Sequence, residues 1–125
     1  MSRIPMFVAG ALLAFGLSGT VQADNRPDHY QGKVAETPEQ ARANFAEYNA
    51  RLAAILARDE LAPMDMVQVH ELTYTLENAL EVLKPSVPGL AESLEAVHQA
   101  SERLEAAVVR AEGRRYLEAA GRVTR

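Results

Sequence analysis

The sequence predicts an all-α protein: an antiparallel three-helix bundle of heptad-patterned helices, with an extended N-terminal arm and a bent or broken C-terminal helix. Two observations carry this. Apolar residues recur at alternating spacings of four and three along three successive segments, the spacing that lines one face of a helix. Two short proline-bearing stretches, Leu61-Ala62-Pro63 and Lys84-Pro85-Ser86-Val87-Pro88, separate those segments, and short connections between long helices favour antiparallel neighbours.

Residues 1–23 read as a secretory signal peptide. Arg3 precedes an apolar run from Ile4 to Leu17, and Val21-Gln22-Ala23 places small residues where a signal peptidase cuts, after Ala23. The run is shorter than the about 20 apolar residues a membrane span needs. The expected location is therefore the periplasm, with no stable membrane insertion once the signal is removed. Residues 24–36 are polar and without period, an extended arm in which Tyr30 and Val34 are expected to pack on the bundle. Residues 37–125 form the helical domain.

The first helix starts at Thr37-Pro38-Glu39-Gln40, with Thr as N-cap, Pro at the first helical position and Gln three residues after the cap. Ala41, Phe45, Tyr48, Leu52 and Ile55 form its inner face up to about Arg58. The second begins near Met64 to Asp65 and turns Met66, Val69, Thr73, Leu76, Leu80 and Leu83 inward. The third carries Leu90, Leu94, Val97, Ser101, Leu104, Val108 and Ala111. After Ala111 the stripe shifts, so the helix is expected to bend or restart at Gly113.

An up-down-up register stacks these residues in layers: Ala41/Leu80/Leu94, Phe45/Leu76/Val97, Tyr48/Thr73/Ser101, Leu52/Val69/Leu104 and Ile55/Met66/Val108. The middle layer is polar on every helix. Three hydroxyls at one level satisfy one another where one alone would cost free energy, so the layer reads as a register device. Its functional alternative is a pocket for a small ligand, metal or haem, using Tyr48, Thr73 and Ser101 with His70 and His98 nearby.

Composition excludes several chemistries. A formal net charge of −4, more acidic once Arg3 leaves with the signal, is a poor match to nucleic acid, which needs basic surface. With no cysteine there are no disulfides, thiolate zinc sites, iron–sulfur clusters or covalent c-type haem. His70-Glu71-Leu72-Thr73-Tyr74 resembles the zinc-hydrolase pattern His-Glu-x-x-His, but Tyr74 stands where the second imidazole is required. No phosphate loop, serine elbow or paired-acid cleft is present. The expectation is a protein without catalytic activity and without a cofactor.

His70 and His98 sit at heights differing by about 9 Å along the bundle at 1.5 Å rise per residue, too far apart to share an ion easily. Each is instead expected in an edge pair, His98 with Glu77 and His70 with Glu102 or Glu105. The basic cluster from Arg110 to Arg125 suits a helix C-terminus. A stripe left uncovered by the bundle would be the working surface, bound by a partner protein or by another copy of the chain. The candidates are Val67, Tyr74, Val109, Tyr116 and Leu117.

The segments "RPDHYQGKVAET", "ANFAEYNARLAAIL", "VHELTYTLENAL" and "VHQASERLEAAVVRAEGRRYLEAA", in this order, resemble a family of short exported proteins of Gram-negative bacteria known only as a domain of unknown function. The resemblance covers essentially the whole chain after the signal. It implies a periplasmic, compact helical domain and supplies no activity, cofactor or catalytic residue.

Overall fold

Four helices follow the arm: α1 (Pro38–Leu56), α2 (Pro63–Leu83), α3 (Leu90–Glu102) and α4 (Ala106–Ala120). They are seen in a computed structural model that describes residues 31–123. Residues 1–30, among them the expected signal segment, His29 and Tyr30, lie outside the described residues. α1 packs on α2, α2 on α3 and α3 on α4, and α4 closes back on α1. The class is all-α, as the periodicity predicts, and the expected break in the C-terminal segment is present but earlier than Gly113, so that the described residues form four helices rather than three.

The start of α1 follows its sequence signal. The Gln40 amide donates to Thr37 Oγ1 at 3.2 Å, while Gln40 Oε1 accepts from the Glu36 amide at 2.8 Å, a reciprocal cap that occupies two otherwise orphaned donors. At the start of α2, Asp65 accepts from the Ala62 amide at 2.8 Å and pairs with Arg58. Most of the predicted inner faces are the core: Ala41, Phe45, Tyr48, Leu52 and Ile55 on α1, Met66, Val69, Thr73 and Leu76 on α2, and Leu90, Leu94, Val97 and Ser101 on α3 are buried, whereas Leu80 and Leu83, also predicted to face inward, are only half-buried at the end of α2.

The third segment departs from prediction after Ser101. α3 ends at Glu102, and the chain reverses through Leu104, which adopts φ +57°. The Leu104 amide donates to the Ser101 carbonyl at 3.1 Å and the Glu105 amide to the Ala100 carbonyl at 2.9 Å. This is a Schellman ending, a geometry that ordinarily uses glycine at the left-handed position. The heptad positions beyond it therefore leave the core. Leu104 is 55% exposed and Val108 41% exposed, and Val109 and Tyr116 are fully buried in their place.

Gly113, expected to break the helix, lies inside α4. Its role is close approach: a Cβ there would fall 2.6 Å from Leu56 Cδ1. α4 runs antiparallel to α1, with the Tyr116 hydroxyl donating to Asn49 Oδ1 at 2.7 Å. At its start, Arg110 donates to the carbonyls of Leu56 at 2.8 Å, Arg58 at 3.0 Å and Asp59 at 3.2 Å. A cation there satisfies the orphaned carbonyls and complements the negative end of the α1 dipole. Arg110 thus caps α1 rather than its own helix.

The arm is tied down by polar contacts, not by Val34, which is 68% exposed. The Lys33 amide donates to Thr75 Oγ1 at 2.9 Å, and Asn78 Nδ2 donates to the Gln31 and Lys33 carbonyls at 2.9 and 3.3 Å. Ala35 supplies the buried apolar contact. Gly32, at φ +72°, lets the arm lie directly on the α2 backbone at Tyr74 and Thr75.

Candidate functional site

Two places concentrate unusual features: the seam between α2 and α3, and the pole of the bundle where α1 meets α2 and α3 meets α4.

On the seam, His70 and Tyr74 lie one turn apart on α2 and meet His98 from α3. The three rings pack edge to face, with centroids 5.1 Å apart for His70–Tyr74, 4.8 Å for His70–His98 and 4.9 Å for Tyr74–His98. The axial estimate that separates the two imidazoles is thus corrected. Cα height along a bundle omits the reach of side chains that lean along their helices toward one another.

Both predicted edge pairs are present. His98 Nδ1 lies 2.7 Å from Glu77 Oε1, its Nε2 lies 3.3 Å from Glu102 Oε1, and His70 Nδ1 is 3.8 Å from that same oxygen. The last distance is too long for a hydrogen bond, and His70 Nδ1 is buried without a hydrogen-bond partner.

The two histidines are pushed in opposite directions. Burial, then the charge of His98, holds His70 below the ordinary imidazole value. Burial also works against charge on His98, but the hydrogen bond and charge of Glu77, with Glu102 behind them, outweigh it and raise that imidazole. The stability that His98 contributes is therefore fully present below its unfolded value and is lost as pH rises through its higher folded value. His70 has the opposite sign: it favours the folded state when neutral and costs stability as pH falls through its range. NMR titration of the imidazole protons is expected to place His98 above and His70 below the ordinary value. Glu77→Gln lowers His98 and leaves His70 the less affected, whereas coincident titration of the two rings would contradict the assignment.

The polar layer is built differently from the expected hydroxyl cluster. Thr73 Oγ1 donates to the His70 carbonyl at 2.7 Å and Ser101 Oγ to the His98 carbonyl at 2.6 Å, so each hydroxyl is satisfied on its own helix. Thr73 and Ser101 are fully enclosed. Tyr48 is buried in the core and its ring also lines a groove, with the Arg51 guanidinium 4.6 Å from its ring centre. Both helices thus carry the same device, a histidine followed three residues later by a hydroxyl bonded to its carbonyl.

Glu71, the middle residue of the hydrolase-like pattern, faces solvent. Of the predicted surface stripe, Val67 is exposed and Tyr74 and Leu117 are half-buried. Val109 and Tyr116 are removed from it, because the reversal at Leu104 turns that face of α4 into the core. What the sequence missed is the pole itself. Met64 is 65% and Val67 42% exposed at the start of α2, and they share this end with exposed Leu104 and Val108. Leucine is disfavoured in the left-handed region by about 1–2 kcal/mol, so Leu104 combines backbone strain with an apolar side chain held in solvent. No helix among the described residues is long and apolar enough to cross a membrane.

Comparison with curated proteins and with solved structures finds no match. The order of segments that suggests a family from sequence has a definite counterpart: the model of a family of unknown function, DUF6746, matches residues 1–125, and the chain belongs to that family.

Proposed function

We propose that this is an exported, non-catalytic binding protein that works by reversible pairing of two copies through the apolar pole. The exposed, left-handed Leu104 carries the proposal. A position where glycine relieves strain is occupied by a large apolar residue, and strained residues of this kind concentrate where function is served. Met64, Val67 and Val108 are exposed at the same end of the bundle.

A second copy suits this pole because its rim carries both signs of charge, with Arg58 and Arg103 beside Asp59, Glu60 and Glu105. An isologous interface places a patch against itself, and a mixed rim does so without net like-charge repulsion. Four apolar side chains offer less than the about 800 Å² per partner of a standard interface, so the pairing is weak and reversible. Export rests on the signal pattern of residues 1–23. The absence of catalysis rests on the closed polar layer and on Tyr74 occupying the second-histidine position of the hydrolase pattern.

Leu104→Gly tests the proposal with two readouts that move in opposite directions. Relief of left-handed strain, less the entropy lost by glycine, is expected to raise folding stability by about 0.5–1 kcal/mol. Removal of the side chain is expected to weaken self-association. A variant that is more stable yet associates as strongly as the parent would sink the proposal.

A further inference from the structure

The seam holds what a transition-metal site requires. Imidazoles from two helices meet a carboxylate within reach of both, and one imidazole has a second carboxylate behind it. We propose that His70 Nδ1, His98 Nε2 and Glu102 bind one divalent transition-metal ion of the zinc class, with Glu77 as the supporting carboxylate behind His98.

The supporting contact is the most specific part. Glu77 Oε1 lies 2.7 Å from His98 Nδ1. A proton held there leaves the Nε2 lone pair facing Glu102 at 3.3 Å. Carboxylate–histidine–metal relays use this arrangement to fix the tautomer and raise the basicity of the ligand. The second observation is His70 Nδ1, a buried nitrogen with no hydrogen-bond partner, 3.8 Å from the same Glu102 oxygen. A metal ion would satisfy it.

One ligand atom from each of His70, His98 and Glu102 lies within 4.8 Å of the others. Bonds of about 2.0–2.1 Å in tetrahedral geometry separate ligand atoms by roughly 3.3 Å. The His98–Glu102 edge already has that spacing. The His70–Glu102 edge closes by rotation of Glu102, whose side chain is 52% exposed, the edge between the two imidazoles closes by rotation of the rings, and the fourth position is left to water.

Two imidazoles and one carboxylate without thiolate suit Zn2+, Cu2+, Ni2+ or Co2+ rather than Ca2+ or Mg2+, which prefer all-oxygen shells. A neighbouring set of Glu77, Glu95 and His98 is also compact. It offers a single imidazole and would break the Glu77–His98 bond, so the two-histidine set is the stronger. Protons compete for both imidazoles. The groups facing His98 are Glu77, His70 and Tyr74 from α2 and Glu102 and Glu95 on its own helix. Because both imidazoles bind metal only when deprotonated at the ligating nitrogen, affinity is expected to fall as pH drops toward the imidazole range.

The test is calorimetric titration of the full chain with Zn2+ alone near neutral pH, beside NMR of the imidazole nitrogens in the unaltered protein. About one ion per chain is expected. His98→Ala or His70→Ala should weaken binding at least tenfold, and Glu77→Gln about 10–100-fold, the range for a supporting carboxylate. His29→Ala, which removes the third histidine, should leave affinity unchanged. In the unaltered protein the zinc-induced shifts should fall on His70 Nδ1 and His98 Nε2, a readout independent of how any variant folds. No binding, binding that follows His29, or shifts on other nitrogens would overturn the proposal. It stands apart from pairing at the pole, since a monomer that binds zinc refutes the pairing alone.

Discussion

Tyr116→Ala is expected to cost about 3–5 kcal/mol, the range for emptying a buried aromatic site. Tyr116 is fully buried and heads the largest side chains of the core. Its hydroxyl donates to Asn49 Oδ1 at 2.7 Å, binding α4 to α1, and burial pushes the phenol well above the ordinary tyrosine value, so it is neutral at any physiological pH. Small domains are held by only about 5–15 kcal/mol, so the variant unfolds at much lower urea. Tyr116→Phe separates the two contributions. It keeps the ring and removes the hydrogen bond, for about 0.5–1.5 kcal/mol. Urea midpoints followed by circular dichroism check both. A Tyr116→Ala cost under about 1 kcal/mol would mean that α4 is not part of the core.

Gly32→Ala is expected to release the arm. A Cβ at this position would lie 2.6 Å from the Thr75 amide nitrogen and 2.8 Å from the Tyr74 carbonyl carbon, and Gly32 also holds φ +72°. Those are backbone atoms, which no rotamer change relieves, so the arm must lift. The cost is bounded by what docking contributes. Three hydrogen bonds from Lys33 and Asn78, at about 0.5–1.5 kcal/mol each, set it at about 2–3 kcal/mol. Amide exchange at Lys33 should accelerate while the cores of α1 and α2 stay protected. Unchanged exchange at Lys33 would contradict the arm's geometry.

The parts of this fold legible in the sequence are those written locally. The α1 cap is a four-residue pattern whose members bond to one another. The faces of α1, α2 and α3 follow a period that burial enforces, and the His98–Glu77 pair follows from that period plus the turn at Pro85 and Pro88. What escaped depends on partners far along the chain. The reversal at Leu104 has no glycine or proline to mark it, and the apolar period runs past it through Val108 without a break. Only the capture of α4 by Arg110 and Tyr116, more than fifty residues from their acceptors, makes reversal the better solution. Gly113 misled for the same reason, since its use as a contact point for Leu56 is invisible until α4 is laid on α1.

The site was legible in its components but not in their meeting. The pattern of histidine and a hydroxyl three residues later occurs on both α2 and α3, at His70/Thr73 and His98/Ser101. That repeat was available in the sequence and marks where the two helices carry equivalent turns. Ring contact between the histidines was not, because it depends on how the two side chains lean. The exposed pole was hidden by the misplaced break, which assigned Leu104 and Val108 to the core and Val109 and Tyr116 to the surface.

The strained, exposed pole is proposed to pair two copies of the chain. Sedimentation velocity of residues 24–125, over a concentration series that reaches about 1 mM, where a contact of about 4 kcal/mol is half occupied, tests it. Pairing at the pole gives a weight-average mass that climbs from monomer toward dimer with concentration, and a climb that Leu104→Gly suppresses while leaving the protein folded. A monomer at every concentration, or a dimer indifferent to Leu104, would contradict it.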